Sequence, residues 1–251
     1  MDNRFDRLKL LIGDEAFEKL RSAKVILFGV GGVGSWCAES LIRSGVGHLA
    51  MVDCDIVDLT NINRQLPALS STVGSDKAET LKKRLKDINP EAEITAVKKF
   101  YSPETAGEFN LSEYDYVIDA IDSLSDKALL IVNATKAGKE TRLVSSMGAA
   151  LKMDCSKICV AEFWNVKGCP LAAALRHKFR KSGVFPAKKF KCVYSPEIYR
   201  NRGNMRSEKE KDDSGVDRSL KKASVNGSIM CTTAIFGLRL SAMVIDGIIN
   251  S

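Results

Sequence analysis

The sequence predicts an α/β fold in which a mostly parallel sheet carries helices on both faces. Three observations support this. Short apolar runs alternate with amphipathic stretches as far as Ser146. A glycine run, Gly29 to Gly34, directly follows the first apolar run, and an aspartate, Asp53, closes the second. Alternating β and α segments pack as parallel strands, because each parallel pair needs a crossover long enough to return over the sheet.

Taken in order, residues 4–21 place Phe5, Leu8, Leu11, Ile12, Phe17 and Leu20 at helical spacing, broken near Gly13-Asp14. Lys24 to Phe28 is an apolar run ending in glycines, as expected of a buried parallel strand. A helix over 35–44, stopped by Gly45, and a strand over 48–53 complete a βαβ unit. An amphipathic helix over 76–89 closes at Asn89-Pro90. Strands follow over 92–98, 116–120 and 142–146, with a helix over 127–138 between the last two. Beyond Gly148 the alternation decays. A strand over 157–164, a helix over 170–181 and an apolar helix over 229–249, interrupted by Gly237, are expected. The last packs back on the sheet or on a second subunit. No repeat or linker divides the chain, so one domain over 1–251 is expected. Residues 1–150 form its nucleotide-binding half, and 151–251 bind substrate and dimerise.

With 45% hydrophobic and 27% charged residues, global disorder is excluded. No uninterrupted apolar run approaches the roughly 18–20 residues of a membrane span. The charged start, MDNRFDRLKL, has no signal-peptide core. Seven scattered cysteines then read as free thiols of a reducing compartment, and a cytoplasmic protein is expected. The net charge of +7 is compatible with a polyanionic partner. Between Cys169 and Cys192 lie Arg176, Lys178, Arg180, Lys181, Lys188, Lys189 and Lys191, with no acidic residue among them. Residues 200–222 are dense in both signs and read as a mobile charged loop within a less regular C-terminal part.

Glycines 29, 31, 32 and 34 permit a tight turn and close backbone approach, and the helix that follows offers free N–H groups to a phosphate. Asp53 can accept ribose hydroxyls. This Rossmann-like arrangement alone serves nicotinamide, flavin and ATP equally. The next segment discriminates. Asp53-Cys54-Asp55-Ile56-Val57-Asp58-Leu59-Thr60-Asn61-Ile62-Asn63-Arg64-Gln65 resembles the D-x-D-x-V-x-x-x-N-x-x-R-Q block of ubiquitin-activating-type adenylating enzymes. That superfamily includes the thiamine- and molybdopterin-pathway adenylyltransferases. The resemblance runs in consistent order from Arg4 to Gly148. It implies ATP as cofactor, Lys77 as a phosphate-binding lysine and Asp122 as the Mg²⁺-binding aspartate. It also implies a homodimer in which Arg7 reaches the partner subunit's site.

The implied chemistry is adenylation of a carboxylate. Attack on the α-phosphate expels pyrophosphate, and fixed cations stabilise the charge that builds there. Arg64, Lys77 and Arg7 would supply positive charge, while Asn61 and Gln65 would orient phosphate and substrate. No general base is needed, because a carboxylate is ionised at pH 7. Asp55 fits cofactor binding and loop capping equally.

Many members of the superfamily carry zinc on two C-x-x-C pairs. Here Cys155 and Cys159 are four apart and no second pair follows, so no zinc is expected. Several other segments resemble the tRNA threonylcarbamoyladenosine dehydratase branch. They are Arg43-Ser44-Gly45-Val46-Gly47, Gly168-Cys169-Pro170-Leu171-Ala172, Cys192-Val193-Tyr194-Ser195-Pro196-Glu197, and Gly227-Ser228 before the tail with Phe236-Gly237. This implies adenylation of the threonyl carboxylate on an adenosine beside the anticodon, then ring closure with release of AMP. The basic run from Arg176 to Lys191 would hold tRNA phosphates. Phe190 and Tyr194 fit base stacking and core packing equally. The alternative is a sulfur-carrier adenylyltransferase acting on the terminal glycine of a ubiquitin-like protein. A cysteine desulfurase and a sulfur acceptor are candidate partners. Cys192 and Cys231 have no adjoining histidine or acid and read as incidental thiols, and His48 and His177 offer no catalytic pairing.

Overall fold

A computed structural model of the chain describes residues 3–203 and 226–251. Most of the charged stretch 200–222 lies outside the described residues. The helical spacing at the start produces two helices, α1 (Asp6–Ile12) and α2 (Asp14–Ser22). Gly13 between them takes φ of 83°, a left-handed conformation that costs little only for glycine.

Seven strands follow: β1 (Lys24–Phe28), β2 (His48–Val52), β3 (Glu93–Val97), β4 (Tyr116–Asp119), β5 (Arg142–Ser146), β6 (Cys159–Glu162) and β7 (Lys191–Tyr194). They form one sheet in the order β3-β2-β1-β4-β5-β7-β6, parallel throughout except for the antiparallel edge strand β6. Side chains alternate between two cores, as the pleat requires. Val25, Leu27 and Ile118 face α3 (Gly34–Arg43) and α7 (Met230–Ile249). Ile26, Phe28 and Val117 face α5 (Leu124–Lys136) and α6 (Pro170–Ser182). The remaining helix, α4 (Lys77–Ile88), packs on β3 and α3. The chain winds from β1 out to β3, then returns to place β4 on the other flank of β1. A crevice forms at such a reversal, at the carboxyl ends of the strands.

Two features differ from the sequence expectations. Gly237 does not interrupt the last helix, since α7 is continuous over 20 residues. A Cβ at Gly237 would overlap the Val33 carbonyl and sit 2.9 Å from the Cys37 nitrogen. The glycine is there because α3 and α7 cross backbone to backbone. α7 is long and apolar enough by length and composition to cross a membrane, although Arg239 and Asp246 keep it from being an uninterrupted apolar run. Half of that window is buried inside the protein, so its apolar character serves the core. Finally, β7 was not foreseen. Four residues beginning in a lysine show too little alternation, and only pairing with β5 and β6 makes them a strand.

Gly237→Ala is expected to lower the unfolding free energy by about 1–3 kcal/mol through overpacking. Gly107→Ala, where nothing lies within 4 Å of the added carbon, serves as the neutral control in the same denaturant titration.

Candidate active site

The crevice at the β1–β4 reversal is a cleft of about 740 Å³. Its floor is the glycine loop, and the four glycines divide the work. Gly29 has φ of 89°, and a Cβ there would lie 2.7 Å from the Ala120 carbonyl oxygen. A Cβ at Gly34 would overlap the carbonyl of Gly29. Both are demanded by the fold. Gly31 and Gly32 line the cleft, with Gly32 beneath the Arg64 stem, where a Cβ would lie 3.2 Å from its Cγ.

Asp53, at the end of β2, ties this loop down. One carboxylate oxygen accepts from the Val30 N–H at 2.6 Å and the other from the Asp55 N–H at 2.9 Å. Burial raises its pKa above the ordinary carboxylate value, against the pull of those two N–H groups and of Lys77. Lys77 opens α4, is buried, and places Nζ 2.8 Å from the Asp55 carboxylate. That ammonium holds the Asp55 carboxyl below its usual range. Asp53, Cys54 and Asp55 have ligand atoms within 4.8 Å of one another, but backbone N–H groups and Lys77 already compensate the two carboxylates.

Arg64 and Gln65 enter from the loop after β2. Arg64 donates to the Thr60 carbonyl at 2.9 Å and to the Asn63 side chain at 2.8 Å. Gln65 is buried, and its Oε1 has no hydrogen-bond partner among the described residues. An unpaired buried carbonyl costs about 1–3 kcal/mol, which a donor on a bound ligand would recover. Asn61 does not line the cleft. Its side-chain oxygen accepts from the Asp58 N–H at 3.2 Å, closing the turn that presents Arg64 and Gln65.

The opposite wall is the turn between β4 and α5. Asp122 is exposed there, and among the described residues no hydrogen bond or ion pair engages it. Asp126, one helical turn on, also lines the cleft. These carboxylates are the oxygen donors available to a cation.

Sequence reasoning missed what holds this turn. Lys127 and Asp119 form an ion pair at 2.8 Å with both side chains 0% exposed. Lys127 also donates to the Ile121 carbonyl at 2.8 Å, while Asp119 accepts from the Ile121 N–H at 3.1 Å and the Ser145 hydroxyl at 2.6 Å. The turn carrying Asp122 is thus clamped between two opposite charges. Lys99, Phe100 and Tyr101 after β3, and Met147 after β5, also line the cleft and were missed. Each directly follows a predicted strand, so the carboxyl-end rule would have found them once the strand order was known.

The remaining candidates lie elsewhere. Arg7 is exposed on α1 and does not line this cleft. The basic run is split by the fold. Arg176 donates to the Phe163 carbonyl at 3.2 Å, and Lys188 caps the Gly138 carbonyl. Lys178, Arg180 and Lys181 lie on α6. Lys191 alternates with Phe190 and Cys192, which face the α6 core, so it points to the α7 side. Phe190 is buried, stacked on Phe163 at 4.9 Å, and so belongs to the core. Cys192 is fully buried, and its thiol is pushed well up by that burial. Cys231 is exposed beside Cys155.

A glycine floor, the aspartate that ties it down, a buried lysine, a half-buried arginine and a free carboxylate wall define a nucleotide-dependent enzyme on a Rossmann-like sheet. The chain belongs to the ThiF family, whose pattern matches residues 5–250. It is 45% identical over 197 residues to the tRNA threonylcarbamoyladenosine dehydratase of Bacillus subtilis, covering 78% of this chain and 76% of that protein. To the protein of the same name from Haemophilus influenzae it is 34% identical, covering 99% of this chain and 94% of the other. Among solved structures, the Escherichia coli tRNA N6-threonylcarbamoyladenosine dehydratase in complex with ATP superposes with a TM-score of 0.82. Its identity is 31%, over 99% of this chain and 94% of that one.

Lys127→Met, which strands a buried Asp119, is expected to cost about 3–5 kcal/mol of stability. Combining it with Asp119→Asn should cost less than the single change, as a thermal-unfolding double-mutant cycle will show.

Proposed function

We propose that this protein is an adenylating, ligase-type enzyme that dehydrates N6-threonylcarbamoyladenosine beside the tRNA anticodon, consuming ATP. The observation that carries the reading is that likeness to the dehydratases runs the full length of the chain. It includes β6, α6 and β7, which a shared nucleotide site alone does not require.

ATP lies over Gly31 and Gly32 with its ribose toward Asp53. Its phosphates meet Arg64 and Lys77, and their charge competes with Asp55 for the lysine. The threonyl carboxylate attacks the α-phosphate and pyrophosphate leaves. Lys77 and Arg64 stabilise the charge that develops, and they act strongly because the cleft wall screens them little. Oxygen donors with no other partner suit Mg²⁺, which commonly takes one or two carboxylates plus phosphates, so Asp122 with Asp126 would hold it and it would neutralise phosphate charge. In the second step the base's own carbamoyl group attacks the activated acyl carbon. The acyl–oxygen bond breaks, and AMP leaves carrying one former carboxylate oxygen. The sum is loss of one water from the nucleoside.

The enzyme works as a homodimer in which Arg7 reaches the partner subunit's cleft. Two observations support this: Arg7 lies outside its own cleft, and α1 buries none of its residues while Leu10 and Leu11 are 87% and 81% exposed. The RNA is held by phosphate contacts to the exposed part of the basic run, chiefly Arg180 and Lys181 on α6, with Lys178 beside them and Lys189 beyond, while Lys191 lies on the other side of the sheet.

Incubation with ATP, Mg²⁺ and tRNA bearing threonylcarbamoyladenosine should lower the mass of that nucleoside by one water. An unchanged nucleoside from protein that binds ATP would exclude the activity. Lys77→Met should reduce kcat by about 10²–10³-fold, the scale for losing one donor to developing charge. Arg7→Ala should be inactive alone but regain partial activity when mixed with Asp122→Ala chains. No recovery despite demonstrated subunit exchange would refute the trans arginine.

A further inference from the structure

An aromatic cluster stands at the far end of α6, away from the cleft. Phe190 and Phe163 stack in the core with centroids 4.9 Å apart at 17°. Trp164 meets Phe163 edge-on at 5.1 Å, and Phe185 lies 6.3 Å beyond Trp164. The first pair is buried, but Trp164 and Phe185 are 38% and 47% exposed. Trp164 is also held through its backbone, donating to the Glu162 carboxylate at 3.0 Å. Two rigid rings therefore face solvent from a fixed base.

Apart from the Glu162 carboxylate that accepts from the Trp164 N–H, the charges that α6 brings to them are basic. The Arg176 guanidinium lies 5.9 Å from the Phe163 ring centroid, which turns that face of α6 toward the cluster. Arg180 follows four residues later on the same face and is exposed. Exposed Lys181 lies in the last turn of the helix, four residues before Phe185 in the chain, and no acidic residue occurs between Cys169 and Cys192. Exposed aromatics interleaved with unneutralised cations suit a ligand with flat apolar faces and negative charges at regular spacing. A protein partner would offer acidic side chains but no run of stackable faces, so RNA fits better.

We propose that Trp164 and Phe185 form a second RNA contact on which an unpaired base stacks, with the adjoining phosphate on Arg180. The inference rests on the RNA-substrate reading above and deepens it. Leu171, at the start of α6, lines the cleft, and Arg180 lies nine residues further along the helix, about 14 Å away. A folded RNA whose reacting base lies in the cleft can touch both ends of that helix. The platform contributes to RNA affinity, not to the chemical step.

Only Trp36 and Trp164 fluoresce as tryptophan, so the Trp36→Phe protein reports on Trp164 alone. Titration with the tRNA substrate should quench it, whereas poly-glutamate at equal charge should not. In the otherwise unaltered protein, Trp164→Ala with Phe185→Ala should weaken tRNA binding by roughly five-fold or more, given the usual worth of base–aromatic stacking. ATP affinity and kcat at saturating tRNA should be unchanged, and Trp164→Phe should retain most of the affinity. Arg180→Ala should reduce the salt slope of tRNA binding by about one. Wild-type tRNA affinity in the double-alanine variant, or quenching by poly-glutamate and not by tRNA, would overturn the platform while leaving the substrate reading intact. Failure of the wild-type protein to bind tRNA at all would overturn both.

Discussion

The cleft depends on one buried ion pair, Asp119 with Lys127. Both side chains are 0% exposed, so neither charge has water to compensate it. Such a pair is tolerable only when the remaining hydrogen-bonding capacity is filled. Here the Ile121 backbone and the Ser145 hydroxyl complete it, and the consequence is geometric. Asp119 ends β4, Ser145 belongs to β5 and Lys127 to α5, so the pair joins three elements at the point where the sheet order reverses. The turn it clamps presents Asp122 to the cleft from one side. Against that same turn, at Ala120, the glycine loop closes from the other.

Around this clamp two of the site's charged groups are compensated before any ligand arrives. Lys77 is neutralised by Asp55, and the Asp53 carboxylate is spent on backbone N–H groups. What is left open is specific: the Gln65 carbonyl without a partner, the free Asp122 carboxylate, and Gly31 and Gly32 with no side chains to obstruct a phosphate. In the proposed reaction a hydroxyl or amino group of the nucleotide would donate to Gln65, its phosphates would lie over the two glycines, and an accompanying cation would meet Asp122. Lys77 and Arg64 would then lie beside the bond that breaks, and their stabilisation would grow as charge moves to the leaving group.

Much of this was legible in the chain because the information is local. Buried strands such as β1 and β2 are written as continuous apolar runs, and the glycine loop, Arg64 and Lys77 sit in short ordered motifs. What was not legible depends on distant partners. Lys127 reads as an ordinary helix-surface lysine until β4 places Asp119 beside it. Asn61 looks like a ligand residue until its turn shows the Asp58 N–H already in its grasp. Gly237 looks like a helix breaker until α3 is seen to occupy the space of its side chain. The basic run looks like one patch, yet strand alternation sends Lys191 to the opposite side from α6.

Under the proposed function, the strands around the glycine loop would serve activation of a carboxylate, and β6, α6 and β7 would supply the surface on which a large anionic substrate lies. The central claim is that the substrate's own carboxylate is adenylated in this cleft. It is tested most directly with tRNA whose threonylcarbamoyladenosine carboxylate is labelled with heavy oxygen. An acyl-adenylate route predicts AMP carrying one labelled oxygen for each nucleoside dehydrated. Unlabelled AMP, with the label released as water or retained in full on the nucleoside, would contradict it.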